Sequence, residues 1–183
     1  MNSPSFSQAE FYTFSHVIHG LVDTSQERLS DFLNRKSEST IQVYDVQISR
    51  ILSMGKSELL KSDEVRLEKQ SILFANPIER DLNVKSFYRR MVRQIFPIFV
   101  LLPYYELVGS VHLTEKLEIR RVLLSRPEMF IPLTDVTATF SLNPSVQFRR
   151  NTIVFNKNLM IMIGSQMPVE KPSGTTEDVN QSR

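Results

Sequence analysis

Three histidines, His16, His19 and His112, are the only imidazoles in the chain, and there is no cysteine to supply a thiolate. His16 and His19 stand three apart in a segment that reads as strand. They therefore point to opposite faces and cannot chelate one ion together. His112 falls in the corresponding strand further along, but on the position of Asp23 rather than of another histidine. No metal and no cofactor is expected. Two aspartates, Asp45 and Asp135, each follow an apolar run, in "IQVYD" and "IPLTD". Paired carboxylates could divide acid and base roles. At a strand bend, a carboxylate accepting backbone N–H bonds is the simpler account. There is no G-x-S-x-G and no Walker A loop, and five glycines leave little to cradle phosphate. An enzyme is not expected.

A third set of chemistry-bearing residues lies in "LNVKSFYRRMVRQIF". Val84, Phe87, Met91 and Ile95 recur at helical spacing, while Lys85, Arg89, Arg90 and Arg93 fall mainly off that stripe. The spacing predicts an amphipathic connecting helix over 79–96, with Asn83 as N-cap and Pro97 beyond its end. Arg89 and Arg93, four apart on one face, resemble the start of the cyclic-dinucleotide signature of PilZ domains. The second half of that signature, an acidic residue or Asn followed by Ser and Gly, is missing: "DVTATF" has Thr and no Gly. The four basic residues remain a candidate anion- or partner-binding face, with Phe87 and Tyr88 beside them for base stacking or for the core. A solvated face is the usual fate of such a run.

The chain that must position these residues has 183 of them, 41% hydrophobic and 23% charged, with a net charge of +2. That is ordinary soluble-globular composition, with too little charge to imply a polyanion partner. Ile95 to Tyr105, the longest apolar run, is broken by Pro97 and Pro103 and is too short to span a bilayer. The first twenty residues lack a basic start followed by an apolar run, so no secretion signal is expected and a cytoplasmic location is the default.

The elements occur twice. With Gly20 set on Gly109, "HVIHGLVD" lies against "YELVGSVH". One residue of slip places Leu29, Phe32 and Leu33 on Ile119, Val122 and Leu123, a short helix face. The same frame carries Ile41, Val43, Asp45 and Val46 onto Ile131, Leu133, Asp135 and Val136. An extra loop, "SMGKSELLKSD", follows in the first copy. Then "EVRLEKQSILF" aligns with "SVQFRRNTIVF", matching Val65, Ile72 and Phe74 to Val146, Ile153 and Phe155. Each copy reads strand, short helix, strand, strand. The apolar phase flips at Asp45 and again at Asp135, as expected of a bulged or sharply bent strand. A second flip is read between Leu67 and Ile72, matched by Phe148 and Ile153.

The second copy resembles an Sm-like small β-barrel: Gly109 in an early strand, then "MFIPLTDV" ending at Asp135, then "NTIVFNKNLMIMIG" with a turn at Asn156–Asn158. The first copy keeps Gly20 and Asp45, but its last strand carries Pro77. The resemblance implies a curved small-barrel unit. The Asn and Arg-Gly that Sm-like proteins use for RNA have no counterpart here. The pattern is also similar to an uncharacterised bacterial domain with a "G-x-V" strand before a helix like "RLSDFLN", a likeness that brings no activity.

The expected organisation is mainly β: a flexible start (1–9), a first β unit (10–78), the connecting helix (79–96), a second β unit (97–164) and a polar, disordered tail (165–183). The expected function is a non-catalytic binding or assembly module for a protein partner or for self-association. A regulatory protein that binds nucleic acid or a nucleotide through the basic helix is the alternative. Deleting residues 165–183 should leave the melting temperature nearly unchanged, because that segment holds too little apolar surface to offset its ordering entropy. Calorimetry of the truncated chain checks this; a loss of several degrees would mean that the segment docks.

Overall fold

The computed structural model describes residues 5–51, 60–78, 94–113 and 127–165. Ten strands form one antiparallel sheet: β1 (Phe6–Tyr12), β2 (His16–Asp23), β3 (Thr40–Arg50), β4 (Leu60–Glu68), β5 (Phe74–Ile78), β6 (Gln94–Leu102), β7 (Tyr105–Leu113), β8 (Phe130–Phe140), β9 (Gln147–Asn156) and β10 (Met162–Ser165). A five-residue helix α1 (Leu29–Leu33) sits between β2 and β3, and single 3₁₀ turns precede β5 and β10. The order across the sheet is β10-β6-β7-β8-β9-β5-β1-β2-β3-β4. Read within each half, the order is the same: β5-β1-β2-β3-β4, then β10-β6-β7-β8-β9. The halves meet where β5 pairs with β9.

The glycines and aspartates singled out by the repeat explain one another. In β2–β3 the register runs from His19↔Gln47 to Leu21↔Tyr44, so Asp45 and Val46 together oppose Gly20. In β7–β8 it runs from Val108↔Thr137 to Ser110↔Thr134, so Asp135 and Val136 oppose Gly109. Each is a β-bulge, with the aspartate in the left-handed region, at φ 47° for Asp45 and 52° for Asp135. The bulge tips the preceding carbonyl toward the opposite strand. A Cβ on Gly20 would lie 2.8 Å from the Tyr44 carbonyl oxygen, and one on Gly109 would lie 2.9 Å from that of Thr134. Glycine is required by its partner's bulge. Neither aspartate side chain makes a hydrogen bond among the described residues, which corrects the expectation of a carboxylate accepting backbone N–H groups. Asp is there because its short polar side chain tolerates this conformation.

The extra residue also accounts for the phase flip. Ile131, Leu133, Val136, Ala138 and Phe140 all enter one core cluster, although the spacing changes from two to three at the bulge. Ile41, Val43 and Val46 do the same in the other half, with Leu29 and Leu33 of α1. The bulge thus keeps one continuous apolar face rather than sending the strand to two sides.

Several expectations are corrected. Strand β1 begins at Phe6 and buries Ala9 completely, so 6–9 are not a loose start. Each half has five strands, not three. Residues 60–63 of the expected extra loop are the first residues of β4. The last block was aligned seven residues out. Val65 corresponds by register to Ile153 and Leu67 to Phe155, whereas Phe74 and Phe155 are not equivalents but direct partners across β5–β9. The second phase flip disappears with that alignment. Positions 94–96 of the expected helix open β6, where Ile95 pairs with His112 and is 62% exposed. It lies off the inward face of β6, whose buried positions are Ile98, Val100 and Leu102. Finally, among the described residues β4 and β10 each pair on one side only, so the sheet is open and closed barrels are not formed.

The bulges give a direct test. Gly20→Ala or Gly109→Ala should each destabilise the fold by about 1–3 kcal/mol through overpacking. Asp45→Val or Asp135→Val should cost about 1–2 kcal/mol for a branched residue at positive φ, while Asp→Gly at either position should be tolerated. Urea denaturation reads all six; an Ala or Val variant as stable as the parent would contradict the pairing of bulge and glycine.

Candidate assembly edges and the junction cleft

The junction is made by short but dense contacts. Phe74 pairs with Phe155 and Ala75 with Val154. The Asn156 backbone N–H donates to the Leu73 carbonyl at 2.9 Å, extending the ladder past the 3₁₀ turn. Two asparagines reach across it. The Asn34 side chain donates to the Phe130 carbonyl at 2.7 Å and accepts from the Phe130 N–H at 2.9 Å. Asn156 Nδ2 donates to the carbonyls of Ile72 and Lys69. One end of the seam, where Phe130 pairs with Asn156, is therefore closed by side chains that satisfy backbone groups of the other half, which is what buried polar groups require. Burial also pushes the Lys69 ammonium pKa below its usual value, and its Nζ donates to the Arg35 carbonyl at 2.7 Å.

Side chains cross the seam as well. Leu73, Phe74 and Tyr12 of the first half enter the core of the second, and Phe130 and Val154 of the second enter the core of the first. Tyr12 stacks on Phe74 at 4.3 Å between centroids, and Tyr105 meets Phe74 edge-on at 4.9 Å. Aromatic contacts of this kind add to area burial.

Beyond Ala75 and Val154 the two strands part, with Pro77 on the β5 side, where it can offer no ladder N–H. The gap is a polar cleft of about 760 Å³, lined by Glu10, Asn76, Pro77, Asp135, Arg149 and Arg150 among others. Glu10, 8% exposed, is fully engaged at its floor. Its carboxylate accepts from Asn76 Nδ2 at 2.8 Å, from the Tyr12 hydroxyl at 3.3 Å and from Arg150 Nη2 at 3.3 Å, and lies 3.4 Å from His19 Nδ1. Arg150 also lies over the Phe148 ring. The cluster binds the halves to each other.

The residues singled out from sequence are dispersed. Gly20, Asp45, Gly109 and Asp135 belong to the bulges, with Asp135 alone reaching the cleft wall. His16 contacts Ser15, His19 contacts Glu10, and His112 contacts Thr134 Oγ1 at 2.9 Å. No group of acidic or histidine side chains that could hold a metal occurs among the described residues. Lys85, Arg89, Arg90 and Arg93 lie outside the described residues. Among those described, no helix is long and apolar enough to cross a membrane.

What the sequence pattern missed is the state of the free edges. Register places Ile161 and Met162 on the positions of Leu73 and Phe74, since the Ile161 N–H donates to the Leu101 carbonyl as the Leu73 N–H does to that of Tyr12, both at 2.8 Å. Leu73 and Phe74 are completely buried; Ile161 is 68% and Met162 48% exposed. The signal was present in "NLMIMIG", but only the neighbour of the equivalent strand shows what it means. No family model, curated protein or solved structure matches this chain.

The junction tyrosines yield an alkaline test. Burial, reinforced for Tyr12 by the Glu10 charge, raises both hydroxyls well above their ordinary value of 10.0. The folded state keeps protons that the unfolded chain releases above pH 10, so stability is intact below that pH and falls above it. The slope is about 1.4 kcal/mol per pH unit for each tyrosine. Tyr12→Phe and Tyr105→Phe should each flatten the fall, seen in melting temperatures between pH 8 and 11. The Tyr105 hydroxyl is buried without a hydrogen-bond partner. At neutral pH Tyr105→Phe should therefore be neutral or stabilising, whereas Tyr12→Phe should cost about 1 kcal/mol for its bond to Glu10.

Proposed function

We propose that this chain is a tandem duplication of one five-strand unit and serves as a non-catalytic assembly module, taking protein partners by strand addition at the free edges of its sheet. The observation that carries this reading is the exposure of Ile161 and Met162 at the start of β10, at the positions where Leu73 and Phe74 bury themselves in the adjoining half. An edge with unpaired backbone groups and apolar side chains is a template for another strand. The duplication is supported by the repeated strand order and by two bulges with the same glycine–aspartate pairing. The Sm-like likeness enters only as an opened form of such a unit. Absence of catalysis is part of the proposal: the one buried carboxylate of the cleft is consumed by structural partners.

The test is to purify the tagged full chain with its cellular partners and map hydrogen exchange in the complex. Residues 161–165 should gain protection. Ile161→Lys and Met162→Lys should release the partner, and Leu142→Lys, at an equally exposed apolar residue on a turn (66%), should not. Partner retention by both edge variants would refute strand addition at β10.

A further inference from the structure

The two free edges are not alike, and the difference can be read residue by residue against the internal junction. Where β9 carries Val154, β4 carries Arg66, since Val154 pairs with Pro132 as Arg66 pairs with Gln42. Where β8 begins with Phe130, β3 begins with Thr40, and Asn156 is replaced by Glu68. Phe130 and Val154 are 1% exposed and plug the core of the adjoining half. Thr40 and Arg66 occupy the same stations on the outer edge. A copy of this chain offering β4 to the β10 edge of another would thus have to drive a guanidinium toward an apolar core, next to Ile163. An unpaired charge in that position is strongly unfavourable. The whole of β4, "LKSDEVRLE", is exposed over most of its length and charged at five of its nine residues, a familiar guard against edge pairing.

We infer that the assembly is polar and capped: β10 is an acceptor edge for a strand of another protein, and β4 is a blocked end that does not extend the sheet with a second copy. This rests on the strand-addition reading above and specifies the occupant. The partner strand runs antiparallel to β10 and resembles β9. It has an aliphatic residue opposite Ile163, an aromatic residue opposite Met162, and a residue beyond them whose N–H reaches the Ile161 carbonyl, as that of Asn156 reaches Leu73. It carries no charge at the aliphatic station. The chain therefore sits at one end of a finite complex.

Peptides from the chain's own strands test this on the intact protein. A labelled peptide of the β9 sequence, "RNTIVFNK", should bind the full chain, and Met162→Lys in the protein should abolish that binding. The β4 peptide "SDEVRLEK" should bind at least about tenfold more weakly, and Val154→Arg in the β9 peptide should cost a similar factor, as expected for losing one buried valine. A gain-of-function arm uses the whole protein. The double variant Thr40→Phe/Arg66→Val should form head-to-tail oligomers in sedimentation velocity, reversed by adding Met162→Lys, while the parent does not oligomerise through β4. Equal binding of the two peptides, or parent oligomers that dissolve on substitution at β4, would overturn the polarity while leaving strand addition standing. Binding of neither peptide, with a monomeric double variant, would overturn both.

Discussion

Two ladder pairs, Phe74 with Phe155 and Ala75 with Val154, hold together what would otherwise be two small sheets. A unit of about 70 residues buries too little surface to be comfortably stable alone. Here each half borrows from the other: aromatic side chains pass one way, Phe130 and Val154 the other, and Asn34 and Asn156 seal one end. Because the outer edge of β5 is taken by β9, it is not available to β4 of its own half, and neither half closes into a barrel. The open shape follows from the junction.

The same arrangement explains why the cleft holds buried charge. Glu10 lies where two strands diverge and leave polar groups unpaired. Arg150, Asn76, Tyr12 and His19 converge on it to satisfy that site. A carboxylate surrounded in this way is a fastener. Its worth is specificity of docking more than net stability, since much of the attraction between Glu10 and Arg150 is spent against desolvation.

Local features of this fold were legible in the chain. Gly20 and Gly109, Asp45 and Asp135, and the phase change at each aspartate all arise from contacts between neighbouring strands, and they left a spacing that repeats. The strands that fasten the halves were not legible. "SILF" and "TIVF" look alike because both fill the same seam, and their likeness reflects partnership, not equivalence. Glu10 and Arg150 meet across 140 positions, a distance at which no local pattern points to the contact. Ile95 stands at helical spacing from Met91, but tertiary pairing with His112 places it on the exposed face of a strand. The exposed apolar pair on β10 could be read from sequence only as more strand; its meaning depends on what the corresponding pair in β5 touches.

The junction also sets an order in time. Phe74 leaves the ribosome about 80 residues before Phe155, and at roughly 5–20 residues per second the first half waits on the order of 4–16 seconds for its mate. During that interval β5 is a naked edge, flanked by Leu73 and Phe74, on a nascent chain surrounded by identical chains on the same message. A free β4, whether of its own half or of a sister chain, is then within its reach. Arg66 and the charges around it make that encounter unproductive, so a feature of the finished molecule's rim doubles as protection for its own birth.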